Sequence, residues 1–369
     1  MSAGLRIAFF GSSLVSAYWN GAATYYRGIV RALHARGHRV TFYEPDAYDR
    51  QAHRDIADPP WARVVVYPAR TADALAAVEA ARGADLLVKA SGVGVLDAEL
   101  ETAVLAARRP GGLVAFWDVD APATLDRVNR DPDDPFRALI PQYDLILTYG
   151  GGPPVVAAYR ARGAPECVPI YNAVDPDLHH PVPVDPRFAA DLALLANRLP
   201  DRESRIAEFF FRTARLAPAR RLLLGGSGWD AAALPANVRH VGHVRTGDHN
   251  AFNVSARAVL NVNRASMARY GFSPPTRIFE AAGAAACLVS DRWAGLDEFL
   301  EPDREVLVAD DGAAVAAHLD GLTPTRARRV GEAARRRVLG AHTYAHRAAQ
   351  LDAVLDGARA RRALSGAAR

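Results

Sequence analysis

The stretch SPPTRIFEAAGAAACLVSD, Ser273 to Asp291, sets an arginine and a glutamate into an otherwise apolar helical pattern. Ser273 is a good N-cap residue and Pro274 suits a first helical position. On that reading Thr276, Arg277 and Glu280 occupy the first two turns. The free backbone N–H groups and positive dipole end of a helix start form a seat for phosphate. Thr276 adds a hydroxyl and Arg277 a forked guanidinium that matches phosphate oxygens. Glu280, one turn on, is suited to accept hydrogen bonds from ribose hydroxyls. The same two charges, spaced i and i+3, are equally well placed to pair with each other. A second candidate is AFWDVDAP, which puts Asp118 and Asp120 just past a strand's carboxyl end, where α/β proteins bind ligands. A carboxylate there can take the proton of an attacking hydroxyl, Asp120 ahead of Asp118. The structural alternative for Asp120 is capping the helix opened by Pro122.

These residues need a scaffold, and the hydrophobic pattern predicts one. LRIAFF, HRVTFY, ARVVVYP, DLLVKAS, GGLVAFW, YDLILTY and ECVPIY are strand-like runs separated by alanine-rich helical segments. Near-continuous apolar strands alternating with helices imply a parallel sheet covered on both faces. The proline-rich segment 173–190 interrupts this and reads as an extended linker. The alternation then restarts with DLALLAN, ARRLLLGG, NVRHVGHV, ARAVLNVN, ACLVSD and EVLVADD. The expected domains are therefore 1–172, a linker over 173–190, a second domain over 191–341, and a C-terminal helix with a basic tail over 342–369. That helix is expected to cross back to the first domain, with its last dozen residues frayed. Two doubly wound units would face one another across a cleft at the carboxyl ends of their sheets.

Composition narrows the function classes. The chain has 369 residues, a formal charge of +4, and 45 basic residues of which only Lys89 is lysine. The arginines are interleaved with acidic residues and form no stripe, which counts against nucleic acid as a partner. Cys167 and Cys287 lie in apolar runs and read as buried thiols, without zinc spacing. No apolar run is long enough to span a membrane, and LRIAFFG has the wrong flanks for a signal peptide. A soluble, cytoplasmic protein is expected. GxxxxGK[ST] is missing, and GSSLVS after the first strand is not GxGxxG, so P-loop and dinucleotide chemistry are disfavoured.

Three segments in order carry a family resemblance: NGAATYYRGIVRALHARGHRVTFYEPD, TRIFEAAGAAACLVSD and HTYAHRAAQLDAVL. From about residue 5 to 355 the chain resembles GT-B glycosyltransferases, and more closely their CgeB-like (spore maturation) branch. The resemblance implies an α/β fold of two Rossmann-like domains, with the acceptor held by the first and the nucleotide-sugar donor by the second. It implies that Arg277 meets phosphate and Glu280 ribose, and that Arg198 and, one residue out of step, Arg202 follow as phosphate ligands. The turn Gly226-Ser227-Gly228 in LLLGGSGW would lie by the donor, where glycine permits close backbone approach; a plain strand-to-loop turn is the alternative. VRHVGHV would run beside the base with His243 positioned to stack, or simply packed, and Tyr270 and Ser273 would flank the same pocket. Gly21 and Ala22, entering the first helix, would present loop amides to the diphosphate or sugar. Relatives with a double-glutamate motif carry a glutamate eight residues before the ribose one; Phe272 stands there instead. Retention of configuration is expected by analogy only.

The resulting expectation is a metal-independent glycosyltransferase using a nucleotide sugar, UDP-linked by slight preference, as co-substrate and no cofactor. The acceptor is left open between polysaccharide, protein and small metabolite. A sugar-nucleotide epimerase on the same framework and a non-catalytic nucleotide-sugar or partner-binding protein are the alternatives.

Overall fold

A computed structural model of the chain describes residues 4–230 and 233–367. They divide into two compact units, residues 1–171 with 344–369, and residues 172–343. The first unit holds seven strands, β1 (Arg6–Phe10), β2 (Arg39–Asp46), β3 (Arg63–Pro68), β4 (Leu86–Ala90), β5 (Leu113–Asp118), β6 (Leu145–Thr148) and β7 (Cys167–Pro169). They form one sheet in the order β3-β2-β1-β4-β5-β6-β7, parallel throughout. The second unit holds β8 (Ala190–Leu195), β9 (Leu222–Gly225), β10 (Val238–His240), β11 (Ala256–Asn261), β12 (Leu288–Asp291) and β13 (Leu307–Ala309). Their order is β10-β9-β8-β11-β12-β13, again all parallel. Both sheets are doubly wound, and in each the direction of winding reverses beside the first strand: between β1 and β4, and between β8 and β11.

Helices cover both faces, which is why the strands read as unbroken apolar runs. β4 and β5 are buried along their whole length, and burying a Leu or Val side chain contributes about 1.5–3 kcal/mol. Two ionisable side chains lie inside these strands, Asp118 at the end of β5 and Lys89, fully buried in β4. Lys89 Nζ donates to Asp97 Oδ1 at 2.5 Å and to the Ala90 carbonyl at 2.7 Å, which satisfies the cation and fixes the loop after β4. Cys167 and Cys287 are buried free thiols.

Two segments differ from the sequence reading. Residues 173–190 belong to the second unit, where Val174 bridges Thr343 and its N–H donates to the His342 carbonyl at 2.9 Å. Their prolines suppress helix without preventing docking. The C-terminal helix runs from Tyr344 to Ala367, so most of the expected frayed tail is helical; residues 368–369 lie outside the described residues. This helix packs within the first unit on the helix Ala23–Ala35. Gly28 gives it room there, since a Cβ at that position would collide with the Tyr344 ring.

Candidate anion and ribose site

The carboxyl ends of β8 and β11, at the reversal point of the second sheet, border a cavity of ≈ 90 Å³. Its wall includes Arg202, Asn263, Arg264, Thr276 and Arg277. Of these three arginines Arg264 is paired with Asp201, while Arg202 and Arg277 face the cavity without a carboxylate at hydrogen-bond distance. Burial and the repulsion of Arg264 and Arg277, against the attraction of Asp201, pull the Arg202 guanidinium below the ordinary arginine value. Three donors there are buried without a hydrogen-bond partner: Arg202 Nε, Arg277 Nη1 and Asn263 Nδ2. Buried donors in native proteins are nearly always paired, so a cluster of unpaired ones marks a ligand's place.

The surrounding residues hold these donors in position. Asp291 at the end of β12 accepts from the Asn263 N–H at 3.1 Å and from Arg205 Nη2 at 2.6 Å, while Arg205 Nε donates to the Asn263 carbonyl at 3.0 Å. Arg202 and Arg205 sit on the helix Pro200–Ile206, which continues through a π-helical turn, Ala207–Phe211, into Arg212–Leu216. Such turns disturb the helical ladder and recur at functional sites.

The helix carrying Arg277 starts later than its sequence suggests. It spans Thr276–Gly283 with Pro275 at the cap position and no side-chain cap. Consecutive prolines force Pro274 out of helical geometry, and Ser273, buried, turns back to donate to the Gly271 carbonyl at 3.0 Å. Thr276 and Arg277 thereby reach the cavity directly. Arg277 and Glu280 do approach each other, but the pairing is loose. Arg277 Nη1 lies 3.6 Å from Glu280 Oε2, and its Nη2 donates to the Leu195 carbonyl at 3.4 Å. That spacing is too long to satisfy Nη1 as a hydrogen bond. Burial raises the Glu280 pKa, but Arg277, then His179 and His249, outweigh it and hold the carboxyl below its ordinary value. Glu280 is therefore an ionised acceptor.

Several other predicted residues lie elsewhere. Arg198 is exposed, pairs with Glu203 at 2.6 Å and stands over the Trp229 ring, while Arg202 lines the cavity. Gly226 and Gly228 have φ of 120° and 88°. A Cβ on Gly226 would collide with the Ala196 carbonyl, so this turn requires glycine for packing. Ser227 N–H donates to Asn197 Oδ1 at 3.0 Å, which joins the turn to the chain leaving β8. His243 is exposed and borders a separate hollow of ≈ 500 Å³ with Arg187, Arg239 and Arg245. Tyr270 stands beneath the Arg269 guanidinium. Phe272 has φ of 46°, and its ring packs where any side chain on Gly295 would intrude. Sequence reasoning missed Asn263, Arg264, His179 and His249. The run VLNVNRAS held a signal for the first two, since it leaves the strand beside the reversal point.

In the first unit, Asp118 is saturated. Its Oδ1 accepts from Ser91 Oγ at 2.7 Å, Thr124 Oγ1 at 3.0 Å and the Asp120 N–H at 3.1 Å, and Oδ2 accepts from Tyr159 OH at 2.5 Å. It is fully buried, and burial raises its pKa against these donors. Held by four donors and closed off from the surface, Asp118 is placed as an anchor joining β4, β5 and the helix Gly152–Arg160, out of reach of an attacking hydroxyl. Asp120 is exposed at the cap position of the helix Ala121–Arg130, where its side chain makes no capping bond. Ala22 caps the helix Ala23–Ala35, and Gly21 before it faces open space. Among the described residues no group of three or more His, Cys, Asp or Glu is placed to hold a metal, and no helix is long and apolar enough to cross a membrane.

Comparison with known proteins agrees with this architecture. Residues 202–353, which include the cavity's arginines and Glu280, match the family described as glycosyl transferase-like. A search of curated protein sequences gives no match. Among solved structures, sucrose-phosphate synthase (tll1590) from Thermosynechococcus elongatus is similar at 16% identity and a TM-score of 0.67, over 96% of this chain and 99% of that one. Anabaena Alr3699/HepE, solved in complex with UDP and glucose, is similar at 14% identity and a TM-score of 0.68, over 96% and 100%. AviGT4, a glycosyltransferase involved in avilamycin A biosynthesis, is similar at 16% identity and a TM-score of 0.61, over 96% and 98%. The chain has the fold of the GT-B glycosyltransferases, and its residues 202–353 carry the glycosyl transferase-like pattern.

Proposed function

We propose that the protein transfers a sugar from a nucleotide-sugar donor, UDP-linked by preference, to an acceptor hydroxyl, and that it does so without a metal ion. The observation that carries this is the group of unpaired buried donors, Arg202 Nε, Arg277 Nη1 and Asn263 Nδ2, around one cavity at the start of a helix. A diphosphate would satisfy all three. The UDP complex of the HepE neighbour supports the choice of base. Glu280, ionised and one helical turn deeper, would accept from the ribose hydroxyls.

In the reaction the bond between the anomeric carbon and the diphosphate oxygen breaks, and its electron pair passes to the phosphate. Arg202, Arg264, Arg277 and the helix N-terminus oppose the charge that develops there, a role filled elsewhere by preorganised donors of this kind. The acceptor oxygen forms the new bond, and its proton passes to Asp120 as general base, with the first unit holding the acceptor. Gly226, Ser227 and Gly228 would line the approach to the donor, Gly21 and Ala22 would offer loop amides, and Ser273, Tyr270 and His243 would contact its outer parts. Within the superfamily we place the chain in the CgeB-like branch, on TRIFEAAGAAACLVSD and HTYAHRAAQLDAVL. We place it in the cytoplasm, on its two free thiols.

A thermal-shift screen with UDP, GDP, dTDP, ADP and CMP tests the donor site, because a ligand that binds only the native state raises its midpoint. One nucleotide should stabilise the wild type and leave Arg277→Ala and Glu280→Ala unshifted. No response to any of the five from folded protein would remove the donor reading. An activity abolished by EDTA and restored by a divalent ion would remove the metal-independent part.

A further inference from the structure

The loops that follow β1 and β2, at the carboxyl end of the first sheet, expose three large aromatic rings. Tyr18 is 40% exposed, Trp19 78% and Tyr48 53%. They are connected: Trp19 meets Tyr18 edge-on, with centroids 6.3 Å apart and rings at 80°. The other face of this corner is backed by His53, stacked on Tyr18 at 4.0 Å, and the His53 ring Nδ1 lies 2.9 Å from the carbonyl of Asp49, next to Tyr48. Trp19, Tyr48 and Asp49 all adopt left-handed backbone conformations, with φ of 46°, 57° and 55°. Bulky residues resist that conformation and hold it only where the surroundings enforce it, a pattern that gathers at binding sites.

The surroundings here do enforce it. Asn20 is buried and donates to the carbonyls of Ser13 and Ser16 at 2.8 and 3.0 Å. Glu44 at the end of β2 accepts from Ser13 Oγ at 2.9 Å and the Leu14 N–H at 2.6 Å. Arg27 grips Asp55 through two hydrogen bonds of 2.7 and 2.8 Å, and Asp55 also accepts from the Ala17 N–H. A rigid scaffold thus holds exposed rings in a costly conformation that contributes nothing to the core.

We propose that the Tyr18–Trp19–Tyr48 corner is the acceptor platform and that its occupant is the ring of a neutral sugar; this rests on the glycosyl-transfer reading above. Aromatic rings pack against the apolar C–H face of a pyranose, while the polar loop edges around them, including the open space at Gly21, can meet its hydroxyls. Arg27 pairs with Asp55 and Arg54 with Asp58, while Arg50, buried beside the Tyr48 ring, donates to the carbonyls of Ser12 and Val93, so these named cations form no exposed cluster for an anionic acceptor or lipid. Three rings also present far less area than the roughly 800 Å² per partner of a stable protein interface.

The test is tryptophan fluorescence of the full chain. Trp117, Trp229 and Trp293 are buried and Trp61 is half-buried, so a change in emission seen in the wild type and lost in Trp19→Phe reports on Trp19. The probes are methyl glucoside, methyl galactoside, methyl mannoside, maltose, cellobiose and lactose, with phosphatidylglycerol-rich vesicles as the competing partner. At least one sugar should quench and shift the emission. Thermal-shift titration of the same sugar should show affinity falling on the order of tenfold in Trp19→Ala and mostly retained in Trp19→Phe. The nucleotide-induced midpoint shift should be the same in all three proteins. No response to any of the sugars, an unchanged affinity in Trp19→Ala, or emission shifted by vesicles alone overturns the proposal. A missing nucleotide shift in the wild type overturns the donor reading instead, and leaves the sugar titration to judge the platform by itself.

Discussion

The two sheets share one winding pattern, and their carboxyl ends carry opposite kinds of chemistry. Beyond β8 and β11 the second unit gathers cations and leaves donors unpaired. Beyond β1, β2 and β5 the first unit pairs Asp118, Asn20 and Glu44, leaves Arg50 Nε buried without a partner, and exposes aromatic rings. The common scaffold fixes where side chains are presented, and the residues just past the strand ends fix what they do. Unsatisfied charge suits a ligand that is itself charged; a satisfied, rigid surface suits one that is neutral.

The comparison can be broken most sharply at Asp120 and Asp118. Asp120→Asn should slow transfer about 10²–10⁴-fold with the melting midpoint unchanged. Asp118→Asn should do the reverse, losing about 1–3 kcal/mol of stability while nucleotide affinity is retained. If initial rates respond equally to both, Asp120 is not the base. Next in size, Arg277→Ala should weaken nucleotide binding about 10–100-fold by calorimetry, since each hydrogen bond to a charged group contributes about 1.5–3 kcal/mol. An unchanged affinity would empty the second unit's end of its assigned role.

A pH titration of stability separates the units further. Burial pushes the Glu101 carboxyl up to about 7, with Lys89 and Arg127 offsetting part of the effect. A folded-state pKa above the unfolded one means that the native state holds the extra proton. Stability should therefore fall as pH rises from about 4.5 to 7, by at most about 3 kcal/mol, and then level off. Glu101→Gln should flatten that slope in denaturant midpoints. Glu280 is depressed instead, so its contribution is kept above the ordinary carboxylate range and lost only as pH falls through its lowered value. A slope that survives Glu101→Gln would assign the effect elsewhere. The smallest effects distinguish two neighbouring arginines. Arg202→Met should cost roughly tenfold in nucleotide affinity yet raise the apo midpoint, because a desolvated cation facing two others is removed. Arg198→Met should leave both the melting midpoint and the affinity nearly unchanged, as expected of an exposed ion pair. The opposite ranking would restore Arg198 to the site.

Much of this was legible in the sequence, for reasons that also explain what was not. Strands buried on both faces leave long apolar runs, so the strand segments of both sheets could be read along the chain. Arg277 and Glu280 stood out because charges in an apolar helix need partners. The helix start was misread because Ser273 followed by Pro274 imitates a cap, whereas Pro275 delays the first turn to Thr276. Arg198 and Arg202 are four residues apart, and only the turn of the helix at Pro200 decides which one faces the cavity. Asp118 and Asp120 differ by two residues in a strand end, yet one is fully buried and the other exposed. His179 and His249 come from segments 70 residues apart that only the tertiary fold brings near Glu280. Trp19 and Tyr48 gave no sequence signal, since nothing local marks a left-handed backbone at a bulky residue.

The bridge between Val174 and Thr343 pairs the two ends of the second unit with each other. Arg347, likewise, donates to the Tyr171 carbonyl at 3.2 Å and so joins the two parts of the first unit across the gap in sequence. In terms of biosynthesis the second unit is an insertion into the first, with its entrance and exit side by side. As the chain leaves the ribosome, residues 172–343 have all their own partners before the first unit has its last helix. The usual order, in which the N-terminal domain finishes first, is inverted: the first unit gains the helix Tyr344–Ala367 only after the whole of the second unit has been made.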